Sequence, residues 1–159
     1  EKLMVRAKDS YDGAIPSGNS VAALNLFRLG KMTGNTKWTD LGYSTLKAFT
    51  EKAKQSPTGF AHMLTAFMFD FKNPKEVVLV GNSNDPETQK TISAIRKNYS
   101  PNKIILFKDV SNPNALVQVA PWTADHVMIN ESPTFYICKN FACKQPTTSL
   151  DLAMKYINE

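Results

Sequence analysis

Asp12 and His62 are the two residues of this sequence best suited to move a proton, and the side chains around them suggest on what. A carboxylate beside an imidazole orients the ring, and histidine's resting pKa of about 6.5 lets it take or give a proton near neutrality. Asp12 lies in Tyr11-Asp12-Gly13-Ala14-Ile15-Pro16-Ser17-Gly18-Asn19-Ser20, dense in turn formers and small polar groups, and His62 follows Ser56-Pro57-Thr58. Hydroxyls and an amide in this arrangement would hold a polyol. The expected catalytic pair is therefore Asp12 and His62, and the expected substrate-binding set is Tyr11, Ser17, Asn19, Ser20, Thr58 and, from a separate group, Trp122. The same residues also read as structure, with Ser17 or Asn19 capping a helix and His62 bonding a backbone carbonyl one turn into an apolar helix. Capping residues stand wherever a helix begins, so the structural reading carries more weight. No Ser-His-Asp order, nucleophile elbow or metal-ligand cluster shifts that balance.

Other candidates are weaker. Trp122, Asp125 and His126 follow Pro121, and an aromatic with a carboxylate can hold a sugar ring, but a tryptophan beside a proline serves more often as a loop anchor. Gly81-Asn82-Ser83-Asn84 follows an apolar run and precedes a helix, the geometry that cradles phosphate. Neither glycine-rich phosphate motif is present, and Asp85 and Glu87 put negative charge where the anion would sit. Cys138 and Cys143, with four residues between them, are too few for a disulfide scaffold and do not form a C-x-x-C redox pair. Zinc would need two further ligands, and His62 and His126 are the only histidines. Buried thiols in a reducing compartment are the expectation, with a cytoplasmic location, no bound metal and no cofactor.

These residues must be positioned by two kinds of element. Turn-rich residues 11–20 lead into a helix carrying Val21, Leu24, Phe27 and Leu29 and closed by Gly30 and Gly34, with so few polar residues that it is expected to be buried. A second helix starts near Asn35 or Thr36 with Trp38, Leu41, Thr45, Leu46, Phe49 and Ala53 along one stripe. A third begins at Ser56-Pro57, and its wide apolar set, Phe60, Met63, Leu64, Phe67, Met68 and Phe71, is expected to be enclosed. Short connections make the three antiparallel, which would bring Asp12 and His62 to one rim. After Asn73-Pro74 the period changes. Val77 to Val80 is an uninterrupted apolar strand, Asp85 to Asn98 a helix, and Ile104 to Phe107 a second strand, both strands covered on two faces and parallel across the crossover. Leu116 to Val119 is ambiguous, 121–133 irregular, Thr134 to Cys138 a third strand, and Pro146-Thr147-Thr148-Ser149 the capped entry to a last helix. Lys2 to Ala7 reads as a short strand or extended lead-in. The expected fold is mixed α and β: an antiparallel helical hairpin region, 1–74, followed by a small three-layer-like α/β domain, 75–159, with a mostly parallel sheet.

The 159 residues suffice for one good-sized core or two small units sharing one, and 42% hydrophobic with 21% charged residues is ordinary for a globular chain. No apolar stretch approaches the ~20 residues that cross a bilayer. The net charge of +5 is spread along the chain rather than gathered with aromatics, so neither nucleic acid nor membrane is an expected partner. Glu1-Lys2-Leu3 is neither an initiator start nor a signal peptide, which suggests a fragment of a longer protein.

Two stretches taken together carry a resemblance. Asp12-Gly13-Ala14-Ile15-Pro16-Ser17-Gly18-Asn19-Ser20-Val21-Ala22, and Tyr136-Ile137-Cys138-Lys139-Asn140-Phe141-Ala142-Cys143 followed by Pro146-Thr147-Thr148, resemble the C-terminal part of the spermatogenesis-associated protein 20 family, whose bacterial members are called YyaL-type proteins. Ser56 to Leu64 and Val77 to Gly81 are similar too. The resemblance implies a longer protein with an N-terminal thioredoxin-like domain, a region like the (α/α)6 toroid of sugar-processing enzymes, and a small α/β tail. This chain would be the last toroid helices plus the tail, with the thioredoxin-like domain and the rest of the toroid as its partners in the same parent. Two functions follow as expectations. The parent binds or processes a carbohydrate-like molecule, as an isomerase or hydrolase would, with this piece inactive alone; or the piece is a non-catalytic scaffold or interaction module serving the thioredoxin-like domain in redox or folding work. No catalytic assignment in the family carries over onto residues of this sequence.

Overall fold

Contacts divide the chain into two units in the computed structural model, which describes residues 8–159. The lead-in expected at Lys2 to Ala7 lies outside them. One unit holds the described residues up to Gly30 with Asn35–Lys72; the other holds Lys31–Gly34 with Asn73–Glu159.

The first unit is helical: α1 (Gly18–Thr33, whose last turn is counted with the second unit), α2 (Thr36–Gln55) and α3 (Ala61–Phe71), the last preceded by a 3-10 turn at Pro57–Phe60. α1 buries Ser20, Ala23, Phe27 and Gly30, a single stripe at helical spacing. Val21 and Leu29 stay 39% exposed, so the helix is half covered rather than buried. Gly34, at φ +72, terminates it as expected, whereas Gly30 lies inside the helix, where an added Cβ would stand 2.3 Å from Thr39 Oγ1. Asn35 caps α2 by accepting from Lys37 N–H at 3.1 Å. Phe49, Phe60 and Met63 form a core with Leu46 and Ala53. α3 buries Met63, Ala66 and Phe69, but Phe67 and Phe71, expected to be enclosed, are 45% and 67% exposed.

The second unit contains β1 (Lys75–Gly81), α4 (Pro86–Lys97), β2 (Lys103–Asp109), α5 (Pro113–Val117), β3 (Thr134–Lys139), β4 (Ala142–Cys143) and α6 (Leu150–Asn158). Its sheet has the order β2-β1-β3-β4. β1 and β2 are parallel, Val77 opposite Ile105, with α4 as the crossover, capped by Asp85 through Thr88 N–H at 2.9 Å. The expectation of a mostly parallel sheet is corrected here, because β3 pairs antiparallel with β1 and β4 antiparallel with β3. The direction follows from where the chain re-enters the sheet. β2 leaves the sheet at Asp109, opposite Gly81, and β3 re-enters at Thr134, opposite Val80, the same end. β1 is buried on both faces as expected. β2 is instead an edge strand, with Ile105 38% exposed. Val77, Leu79, Phe135 and Ile137 pack under Ile95 of α4 and Ala153 and Ile157 of α6. On the opposite face Val78, Val80, Tyr136 and Cys138 meet Leu106, Leu116, Trp122 and Met128.

Candidate functional site

Asp12 and His62 do meet in the first unit, but through the backbone. The buried Asp12 carboxylate accepts from Ser17 N–H at 2.8 Å with one oxygen, and from His62 and Met63 N–H at 2.9 and 3.0 Å with the other. The first turn of α3 is therefore capped from 50 residues upstream. Ser56, the expected cap, makes no side-chain capping bond. Ser17 Oγ lies 2.9 Å from Ser20 Oγ and accepts from Ser20 N–H, fastening the start of α1. Asn19 donates to Asp9 O. Tyr11 is 64% exposed, with its ring over Gly59, while Thr58 is exposed and His62 half-buried. Burial pushes the Asp12 carboxyl up, yet the N–H groups of Ser17 and Met63, the Ser20 hydroxyl and the His62 N–H outweigh it and hold the group below its ordinary value. A carboxylate so engaged fixes two helix starts. Two grooves open in the same unit: one of about 400 Å³ with an apolar lining that includes Leu46, Met63 and Phe67, and one of about 450 Å³ bordered by Asn19, Leu41, Ser44, Thr45 and Phe49.

The Gly81 turn is filled from within its own unit. Asp109 accepts from Ser83 and Ser111 N–H at 3.4 and 3.0 Å and is held at about 2, chiefly by the Ser83 hydroxyl and then by the Ser111 N–H, so the donors that would face a phosphate already face a carboxylate.

The chemistry of the second unit gathers at the β3–β4 hairpin. The expectation of buried thiols is overturned there: Cys138 and Cys143 form a disulfide. Asn140 and Phe141 have φ of 51 and 62, the left-handed pair of a two-residue hairpin turn, which sets Lys139 opposite Ala142 and Cys138 opposite Cys143. Two cysteines flanking a two-residue turn with one residue between on each side must face one another. Asn140, a residue that tolerates the left-handed conformation, was the signal in the sequence. The turn is also held by charge. Phe141 N–H donates to Glu76 Oε2 at 3.3 Å, Lys31 Nζ donates to Asn140 Oδ1 at 2.8 Å, and Lys31 Nζ stands 3.5 Å from Glu76 Oε1. Glu76 is fully buried, which pushes its carboxyl up against the opposing pull of the Lys31 ammonium. It is opposite Cys138 in register, so Glu76, Cys138 and Cys143 form one row across three strands.

His126 closes this corner. Its Nε2 lies 3.8 Å from Cys143 Sγ, and its ring sits between Tyr136, at 4.1 Å, and Trp122, at 5.7 Å. Tyr136 anchors the segment by bonding both N–H and C=O of Val127. Trp122 donates to Met32 O at 3.0 Å and packs edge-on to Phe141. Lys108, 4% exposed, donates to the carbonyls of Thr123, Ala124 and His126 at 2.8, 2.8 and 2.7 Å. Burial, reinforced by the Lys108 ammonium and only partly opposed by Asp125, lowers the His126 pKa and keeps the imidazole neutral. Cys143 is exposed while Cys138 is 2% exposed, so an incoming thiolate meets Cys143 first.

Among curated proteins, the chain is 32% identical to spermatogenesis-associated protein 20 of Homo sapiens over 146 residues, covering 92% of the chain and 19% of that protein. The Rattus norvegicus protein of the same name is also 32% identical, with 92% and 18% covered. An uncharacterized protein of Caenorhabditis elegans is 22% identical over 161 residues, 100% of the chain and 21% of that protein. The chain thus spans about a fifth of the length of the relatives it matches. No family model and no solved structure matches it. No helix among the described residues is long and apolar enough to cross a membrane.

Proposed function

We infer that this chain, which belongs to the spermatogenesis-associated protein 20 family and corresponds to the C-terminal part of its members, is a non-catalytic module that exchanges its Cys138–Cys143 disulfide with a dithiol partner. The partner in this reading is the thioredoxin-like domain that the resemblance implies elsewhere in the longer protein. The observation that carries it is a disulfide whose outer cysteine is exposed on the short last strand of the sheet, beside a neutral imidazole. A partner thiolate attacks Cys143 Sγ, the sulfur–sulfur bond breaks, and Cys138 leaves as a thiolate and takes up a proton. The partner's second thiolate then attacks the mixed disulfide and releases Cys143. Two electrons and two protons pass to the chain, and the partner becomes a disulfide. The exposed Phe67 and Phe71 of α3 fit helices covered by more of a toroid in the longer protein.

The test uses that thioredoxin-like domain with its second active-site cysteine replaced by serine, mixed with the oxidised chain. A disulfide-linked adduct mapped to Cys143 is expected. Failure of the two folded proteins to form any adduct sinks the reading.

A second reading keeps the first unit as a carbohydrate-binding surface. What favours it is the groove of about 450 Å³ bordered by Asn19, Ser44 and Thr45, in the unit that also holds Asp12 and His62. In the full-length protein a sugar that raises the melting temperature would lose that effect in Asn19→Ala and Thr45→Ala; an effect untouched by both substitutions removes this surface from consideration.

A further inference from the structure

Opening the disulfide changes what this corner can hold. Among the described residues, His126, Cys138 and Cys143 are the one group whose metal-ligating atoms, one from each, lie within 4.8 Å of one another. Two thiolates and an imidazole are a donor set that selects zinc, and three protein ligands leave the fourth tetrahedral position open. A tetrahedral zinc with sulfur at about 2.3 Å and nitrogen at about 2.0 Å needs its ligand atoms about 3.5–3.8 Å apart. The Nε2 of His126 already stands 3.8 Å from Cys143 Sγ. The covalent bond between the two sulfurs is what denies the metal its place, and breaking it leaves both cysteines in register on paired strands.

A second observation removes an obstacle to ligation. His126 is buried, and its Nδ1 has no hydrogen-bond partner among the described residues, while Nε2 faces only the sulfur of Cys143. A buried imidazole is ordinarily held by a carbonyl or carboxylate. This ring is held instead by its backbone, through Lys108 on the His126 carbonyl, and by the faces of Tyr136 and Trp122. Ligation would therefore break no structural hydrogen bond. The exposure of Cys143 gives the ion a way in, and the two-residue turn keeps the sulfurs from swinging apart.

We propose that reduction of Cys138–Cys143 converts this corner into a three-ligand zinc site, Cys138 Sγ, Cys143 Sγ and His126 Nε2, with the fourth position left to water or an incoming thiolate. The site exists only in the reduced chain. A dithiol reductant supplies two electrons and two protons to open the disulfide and is itself oxidised to a disulfide; zinc then displaces the two thiol protons. Metal occupancy and oxidation exclude one another, so zinc holds the pair reduced and oxidation expels the ion. The proposal rests on the exchange reading above in requiring that the disulfide opens in the folded chain.

The experiment follows cobalt(II), a spectroscopic substitute for zinc. The full chain is reduced, freed of reductant without oxygen, and its thiols counted before cobalt is added. Two thiols, followed by thiolate-to-cobalt charge transfer and the visible bands of a tetrahedral ion, both abolished by zinc, are the expected result. The oxidised chain should show neither band. His126→Ala should weaken cobalt binding by more than about tenfold while both thiols remain, and His126→Gln repeats the comparison with a side chain that can still fill the corner. Two thiols without charge transfer overturn the zinc site and leave the exchange reading standing. Absence of free thiols after reduction overturns both at the earlier step.

Discussion

Replacing Asp12 by alanine should destabilise the helical unit by about 3–5 kcal/mol, read as a fall in the urea midpoint of far-ultraviolet circular dichroism. The substitution strands three N–H donors, those of Ser17, His62 and Met63, two of them in the first turn of α3. A buried donor left without an acceptor costs about 1–3 kcal/mol, and the half-buried position of His62 lets water recover part of the loss. Asp12→Asn should lose about half as much, because one acceptor oxygen remains while the amide nitrogen turns a donor toward other donors. The charge also sets a pH dependence. Asp12 titrates below its ordinary value of 3.8 when folded, so the unfolded chain takes up the proton more readily. Its contribution is complete above that ordinary value and fades as the pH falls through the lower folded one. Asp12→Asn should flatten this acid limb, and an unchanged limb would show that the carboxylate is not the cap of α3.

Lys108→Met should cost the α/β unit about 2–4 kcal/mol by the same kind of measurement. The ammonium uses all three protons on the carbonyls of Thr123, Ala124 and His126, and methionine fills the space while leaving the three oxygens unmatched. Removing a buried charge offsets part of that loss, which is why the expected figure is below three full hydrogen bonds to a charged group. Lys108→Arg should not rescue it, since a planar guanidinium cannot aim three donors at three converging carbonyls. The carbonyl of His126 is one of the three, so the loosened segment should also lose the close approach of the ring to Cys143. Wild-type stability in both variants would mean that Lys108 does not hold the loop.

Local signals were legible where one element decided the outcome. Asp85-Pro86 announced α4, Asn35 announced α2, Ser149 announced α6, and the uninterrupted apolar run 77–80 announced a doubly covered strand. What could not be read depended on residues distant in sequence. The Ser56-Pro57 signature promised a local cap, and Pro57 instead opened a 3-10 turn, leaving α3 to borrow a carboxylate from Asp12. Strand direction was misjudged because an apolar run such as 134–138 says that a strand is buried without saying which way it runs. That depended on the end at which the chain re-enters the sheet, with Thr134 opposite Val80. The disulfide was missed because β4 is two residues long and carries no apolar alternation. Only the Cys-Lys-Asn-Phe-Ala-Cys spacing around a left-handed turn could have revealed it. Lys108 resembled any surface lysine, since nothing in the sequence shows three carbonyls converging on it.

Disulfide exchange requires that the Cys138–Cys143 bond open while the sheet stays folded. Alkylation of the chain after exposure to a protein dithiol, without denaturant and read by mass spectrometry, measures this directly. Two labels, on Cys138 and Cys143, with the circular dichroism of the oxidised chain retained, is the result predicted. A chain that takes up no label until it is unfolded would make the disulfide a structural staple and contradict the account.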